Sequence, residues 1–150
     1  TKKTIDNWRT EISALFGFIQ ETEQHLYPSV TAKRLANNQY LDECFPHKTF
    51  FTRLQHFTAV SDCFVAFYGG IGTVLEILTV LQLMQVKQIS DRKLILVGSM
   101  WPGLIKWFEA EMLNEDMQLI HSGDLLIPHL VPHYQDALEI IKQHKMQLDL

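Results

Sequence analysis

An α/β fold, a parallel sheet with helices on both faces, is predicted by three features of the chain. The first is a pair of short, nearly continuous apolar runs, Asp62-Cys63-Phe64-Val65-Ala66-Phe67 and Lys93-Leu94-Ile95-Leu96-Val97-Gly98. Runs of this length and composition suit strands buried on both faces. The second is the alternation after residue 62: strand, helix, strand, helix, short strand, helix. The third is a glycine-rich break, Gly69-Gly70-Ile71-Gly72, between the first run and the helix that follows it. Right-handed crossovers then leave almost no freedom in the topology, and the arrangement is Rossmann-like.

Each element has its own signal. Ile5, Trp8, Ile12, Leu15, Phe16 and Ile19 recur at helical spacing, which predicts an amphipathic helix over 4–25, within an extra N-terminal segment 1–28. Tyr27-Pro28-Ser29 ends it. Residues 30–47, with Asn37-Asn38 and Pro46, read as loop. A helix is expected from about Lys48 to Val60, with Phe50, Phe51, Leu54, Phe57 and Thr58 on its inner side. After the glycines a helix is expected from Thr73 to Val86, then a turn at Asp91-Arg92. Pro102 sits near the first turn of the next helix, where a missing N–H costs nothing, and that helix runs to about Leu113. A short strand or turn at Met117–His121, an extended piece at Leu125–Pro128 and a closing helix from Pro132 to His144 complete the chain. One domain over 1–150 fits this length.

Hydrophobic residues make up 47% and charged residues 20% of the chain, a globular balance. The net charge is −4 and the pI near 5.9. With no basic surplus, a nucleic-acid polymer is not the expected partner. No apolar stretch reaches the ~20 residues that span a bilayer, and a polar start argues against a secretory leader. Cys44 and Cys63 lie outside any ligand spacing, so two free thiols in a reducing cytoplasm are expected. Cys63, within a strand run, reads as buried and inert. His129 and His133 are four apart, but Pro132 between them spoils a shared helix face. No metal site and no cofactor is predicted. His47 and His56 flank the helix bearing Arg53 and read as surface or satisfied histidines rather than as residues approaching the pocket. Trp101, Trp107 and Phe108 read as core or interface.

The segment Gly69-Gly70-Ile71-Gly72-Thr73-Val74-Leu75-Glu76 carries the chemistry. A strand, a glycine turn and a helix start present backbone N–H groups and a favourable dipole to an anion. It is neither a Walker loop nor a GxGxxG fingerprint. Thr73 and Glu76 are equally spaced for a Thr-x-x-Glu capping box, which would only satisfy the helix end.

The same segment resembles the Pro-Gly-Gly-x-Gly-Thr-x-x-Glu signature of the LONELY GUY family, phosphoribohydrolases of cytokinin riboside 5′-monophosphates long labelled lysine decarboxylases. The resemblance takes in Arg53 on the preceding helix, the Ser61–Phe67 strand, Leu94-Ile95-Leu96-Val97 and Trp101-Pro102, and covers residues 33–147. It implies a partial or reduced family domain that hydrolyses the N-glycosidic bond of a nucleoside 5′-monophosphate, with an AMP-like ligand. Glu76 would stabilise or activate at the anomeric carbon and Arg53 would contact phosphate or leaving group. Gly69, Gly70, Gly72 and Thr73 would hold the 5′-phosphate. A cytoplasmic homodimer, with residues 73–86 in the contact, is also implied. A non-catalytic nucleotide- or phosphate-binding module of the same fold is the alternative. Tyr68 replaces the family's proline and Leu54 the lysine of its Arg-Lys pair. The family's first strand-turn-helix is not evident in residues 1–32, so the chain reads as part of a longer protein or as a reduced homologue.

Overall fold

The computed structural model describes residues 20–24, 43–113 and 118–148. The chain divides into two compact units, Thr1–Ser61 and Asp62–Leu150.

In the first unit, β1 (Gln20–Gln24) pairs in parallel with β2 (Glu43–His47), Gln20 opposite Glu43 and Gln24 opposite His47. This departs from the expectations for both segments. Gln20–Gln24 is strand and not the end of a 4–25 helix, and residues 43–47 are not loop; residues 1–19 lie outside the described residues. Gln20-Glu21-Thr22-Glu23-Gln24 carries no apolar residue to betray a strand. Pro46 argues for loop in any central strand, but in a two-stranded sheet both strands are edges, where proline is tolerated. Helix α1 (Phe50–Val60) packs on this pair. Thr49 caps it: its Oγ1 accepts from Thr52 N–H at 3.1 Å, while Thr52 Oγ1 accepts from Thr49 N–H at 3.3 Å. Leu54 and Thr58, one turn apart, form the buried face, and the Thr58 hydroxyl donates to the Leu54 carbonyl at 2.8 Å.

The second unit is the expected α/β layer. Strands β3 (Cys63–Ala66), β4 (Lys93–Val97) and β5 (Pro128–Val131) form a three-stranded parallel sheet in chain order. Cys63 lies opposite Lys93, and Leu94 opposite Pro128. The connections carry α2 (Ile71–Gln85) and α3 (Trp101–Met112), and α4 (Tyr134–Leu148) closes the unit. Right-handed crossovers taken in the same direction put α2 and α3 on one face. Helix α4 packs on β4 and β5 through Ala137, Leu138 and Ile141. Leu94, Ile95 and Leu96 are consequently at most 1% exposed. Each such side chain contributes about 1.5–3 kcal/mol by leaving water.

The remaining differences are local. Leu125 and Leu126 belong to a 3₁₀ turn, Ser122–Leu126, and not to the extended piece, which begins only at Pro128. That turn is held by the Asp124 carboxylate, which accepts from His121 N–H and from Gln85 Nε2, both at 2.8 Å. Trp101 and Phe108 are buried, while Trp107 is half exposed. Between α2 and α3 lies a largely apolar cavity of about 240 Å³ that includes Leu78, Leu81, Ile105 and Phe108. No helix among the described residues is long and apolar enough to cross a membrane.

Helix α2 ends in a Schellman turn. The N–H of Lys87 bonds to the Met84 carbonyl at 3.0 Å and that of Gln88 to the Leu83 carbonyl at 2.9 Å. The geometry holds Lys87 at φ 60, a conformation that a Cβ disfavours. Lys87→Gly should therefore raise stability by about 0.5–1 kcal/mol, the relief of strain exceeding the extra freedom gained by the unfolded chain. A urea midpoint that does not rise would show that Lys87 sits there without strain.

Candidate functional site

The glycine turn forms where the sequence places it, between β3 and α2. Helix α2 starts at Ile71 with Gly70 as its cap, at φ −89 and ψ −162, and no side chain caps it. Thr73 is therefore the third helical residue, and neither begins the helix nor closes a capping box with Glu76. The Thr73 side chain lies so close over Gly69 that a Cβ there would collide with it. That contact explains Gly69, whereas Gly70 and Gly72 border open space. Among the described residues the only glycine with a left-handed backbone is Gly98, at φ +106.

Gly98 ends β4, and the Tyr68 ring lies against it; a Cβ at Gly98 would stand 2.8 Å from ring carbons. The Tyr68 hydroxyl accepts from Ser99 N–H at 3.0 Å and bonds with Ser99 Oγ at 2.9 Å. These two bonds hold the phenol below its ordinary pKa. Gly98 N–H donates to the Val131 carbonyl at 2.8 Å, carrying the β4–β5 ladder one step further. The residue that replaces proline in the family signature thus clasps the C-terminal ends of β3 and β4 together. In open parallel sheets ligands commonly bind where the strand order reverses. Order β3-β4-β5 follows the chain and contains no reversal.

The expected catalytic pair is not assembled within either unit. Arg53 belongs to the first and Glu76 to the second. Leu54, at the family's lysine position, is core, 8% exposed. Partial burial of Cys63 pushes its thiol up to about 12, so it is protonated and unreactive at neutral pH. Within α4, His144 lies 4% exposed, and its Nε2 donates to the Asp62 carbonyl at 3.1 Å. That histidine fastens the helix end to the start of β3.

A different set of polar groups gathers in the first unit. Lys48, Thr49, Thr52 and Gln55 are exposed around the first turns of α1, and Arg53 is half-buried. With Thr52 N–H taken by the cap, the N–H groups of Phe50 and Phe51 complete the first turn. They add to the positive end of the helix dipole. At the end of β2, His47 Nε2 and His56 Nδ1 are 3.1 Å apart, and Phe45 meets the His56 ring edge-on with centroids 4.6 Å apart. Partial burial, then the nearby His56 and Arg53 charges, lower the His47 pKa below the ordinary 6.5. The sequence spacing placed these two histidines beside Arg53; only the fold pairs them with each other. The Thr49-x-x-Thr52 spacing was the legible signal for this helix start, a capping box with threonine in place of glutamate.

Comparison with protein families finds a match to the N-terminal part of the restriction endonuclease BpuJI over residues 1–62. It covers less than half of the chain and is a likeness to that segment. A comparison with curated proteins found no match. The restriction-endonuclease match overturns the LONELY GUY resemblance and what was drawn from it. The nucleoside-monophosphate hydrolase, its nucleotide-binding alternative, the AMP-like ligand with its homodimer and the exclusion of nucleic-acid polymers all give way. Residues 1–62 hold seven Lys/Arg and seven Asp/Glu, whereas residues 63–150 hold six and ten. The acidic surplus is confined to residues 63–150, and the chain-wide figure concealed a neutral first segment.

Two outcomes test these geometries. Gly98→Ala should cost about 2–3 kcal/mol, from the left-handed backbone and the clash with Tyr68. Made in a Tyr68→Ala background it should cost measurably less. Equal costs in the two backgrounds would mean that Tyr68 does not press on Gly98. For His47, a lowered pKa means that the unfolded chain binds more protons below about pH 6.5. Stability should be full above that pH and fall on acidification toward pH 5. His47→Gln should flatten that part of the urea-midpoint profile, and superimposable profiles would remove His47 from the account.

Proposed function

We propose that residues 1–62 form a DNA-contacting module. The observation that carries this reading is the match of these residues to the N-terminal part of a restriction endonuclease. The start of α1 supplies chemistry suited to a DNA backbone. Lys48 is an exposed cation beside the positive end of an 11-residue helix. The threonine cap leaves first-turn N–H groups directed beyond the helix end, where phosphate oxygens are favoured. Arg53, one turn further on, suits bidentate contact with phosphate or with a guanine edge. Contacts of the first kind set register on the duplex, and base contacts select sequence. A cytoplasmic setting goes with this reading, since duplex DNA is the ligand and Cys63 carries a free thiol.

Fluorescence anisotropy of a labelled random-sequence duplex pool, titrated with the whole chain at low salt, tests the reading. Saturable binding is expected, weakening linearly in log–log form with salt. Lys48→Glu should weaken binding of all sequences alike and reduce the salt slope by about 1. Arg53→Ala should weaken it further. Flat anisotropy at low salt, or binding indifferent to both substitutions, would reject the proposal.

A further inference from the structure

Phe51 is the second residue of α1, in its first turn, and is 78% exposed. Its ring meets Phe50 edge-on with centroids 6.0 Å apart, so Phe50, half-buried, braces it from one side. Gln55, at i+4 on the same side of the helix, is exposed and polar, as are Thr52, the neighbour of Phe51, and Lys48, which precedes the Thr49 cap. A protein partner is usually met by a contiguous apolar patch. Here a single large aromatic projects from a polar rim that includes a cation. That combination fits a nucleic acid, whose bases offer flat apolar faces within a few ångströms of phosphates.

We propose that Phe51 is a wedge that enters a base step of duplex DNA while Lys48 holds the adjoining phosphate. The proposal rests on the DNA-contacting reading above and adds how the surface engages the duplex. Insertion of an apolar side chain unstacks one step, and pyrimidine–purine steps, the easiest to open, are where it would act. The bracing by Phe50 limits the freedom that Phe51 loses on insertion, which favours a wedge over a ring that swings freely in solvent. Phe51 so placed contributes affinity through stacking, and preference through the deformability of the step, with no hydrogen bond to a base.

Permanganate, which oxidises unstacked thymines, reports the insertion directly. Duplexes enriched by the whole chain from a random pool are footprinted with wild type, Phe51→Ala and Phe51→Leu, and affinity is measured in parallel. Wild type should produce a hyperreactive thymine beside the contacted step. Phe51→Ala should abolish it and weaken binding on the order of tenfold. Phe51→Leu, still a wedge, should retain most of both. In the Phe51→Trp variant, emission added by the new indole should be quenched by DNA. Phe51→Ala that keeps the hyperreactive thymine and the affinity overturns the wedge. If Lys48→Glu still weakens binding in that case, the DNA-contacting reading stands without it. A wild-type chain that binds no duplex overturns both.

Discussion

Strand β4 is hydrogen-bonded along both edges and covered on both faces, and the second unit is arranged around that single constraint. A strand with no exposed side must be apolar throughout, and Leu94-Ile95-Leu96-Val97 is, with at most 4% exposure at any position. Because the sheet is parallel, each neighbour must be reached by a crossover, so helices α2 and α3 follow from the pairing itself. The same constraint decides where the backbone is strained. At the end of β4 the chain must turn toward α3 while still pairing with Val131, and Gly98 supplies the left-handed φ that this needs. Tyr68 then packs on the bare glycine and ties its hydroxyl to Ser99. This contact clasps the ends of β3 and β4.

The first unit follows a different economy. Its two-stranded parallel sheet offers little surface to bury, and α1 is held to it by a narrow face, Leu54 and Thr58, together with the Phe45–His56 contact. Much of α1 therefore remains in water. Phe51, Thr52 and Gln55 lie on its exposed side, and exposed Lys48 precedes its cap. In a larger core some of these positions would be apolar and covered. In a unit this small they are available for contact with another molecule.

The order of elements from residue 62 onward was legible because its cues are local and strong: apolar runs of strand length, a glycine break, and Pro102 in a helix's first turn. Strands β1 and β2 were not legible. Gln20–Gln24 has no apolar residue and Glu43–His47 contains proline, so neither shows the alternation that marks a half-buried strand. Leu125 and Leu126 look extended in isolation, but Asp124, bound to His121 N–H and Gln85, draws them into a 3₁₀ turn. The glycine segment is a related case. Glycines, a threonine and a glutamate at fixed spacing have the same one-dimensional pattern whether they cradle an anion or end a strand. The cap at Gly70 and the Thr73–Gly69 contact lie within four residues, whereas the strand order is set by the whole second unit.

By itself the sequence determined the α/β character of residues 62–148, because burial on both faces and the strand–helix alternation are written in residue type and spacing. It also placed a helix over about Lys48–Val60, which the structure bounds at Phe50–Val60. Only the tertiary structure decided that Arg53 and Glu76 belong to separate compact units, that Tyr68 closes over Gly98, and that His47 pairs with His56. Those relations depend on which backbone segments are brought within a few ångströms across distances of 9 to 31 residues, and packing sets that, with no trace in local spacing.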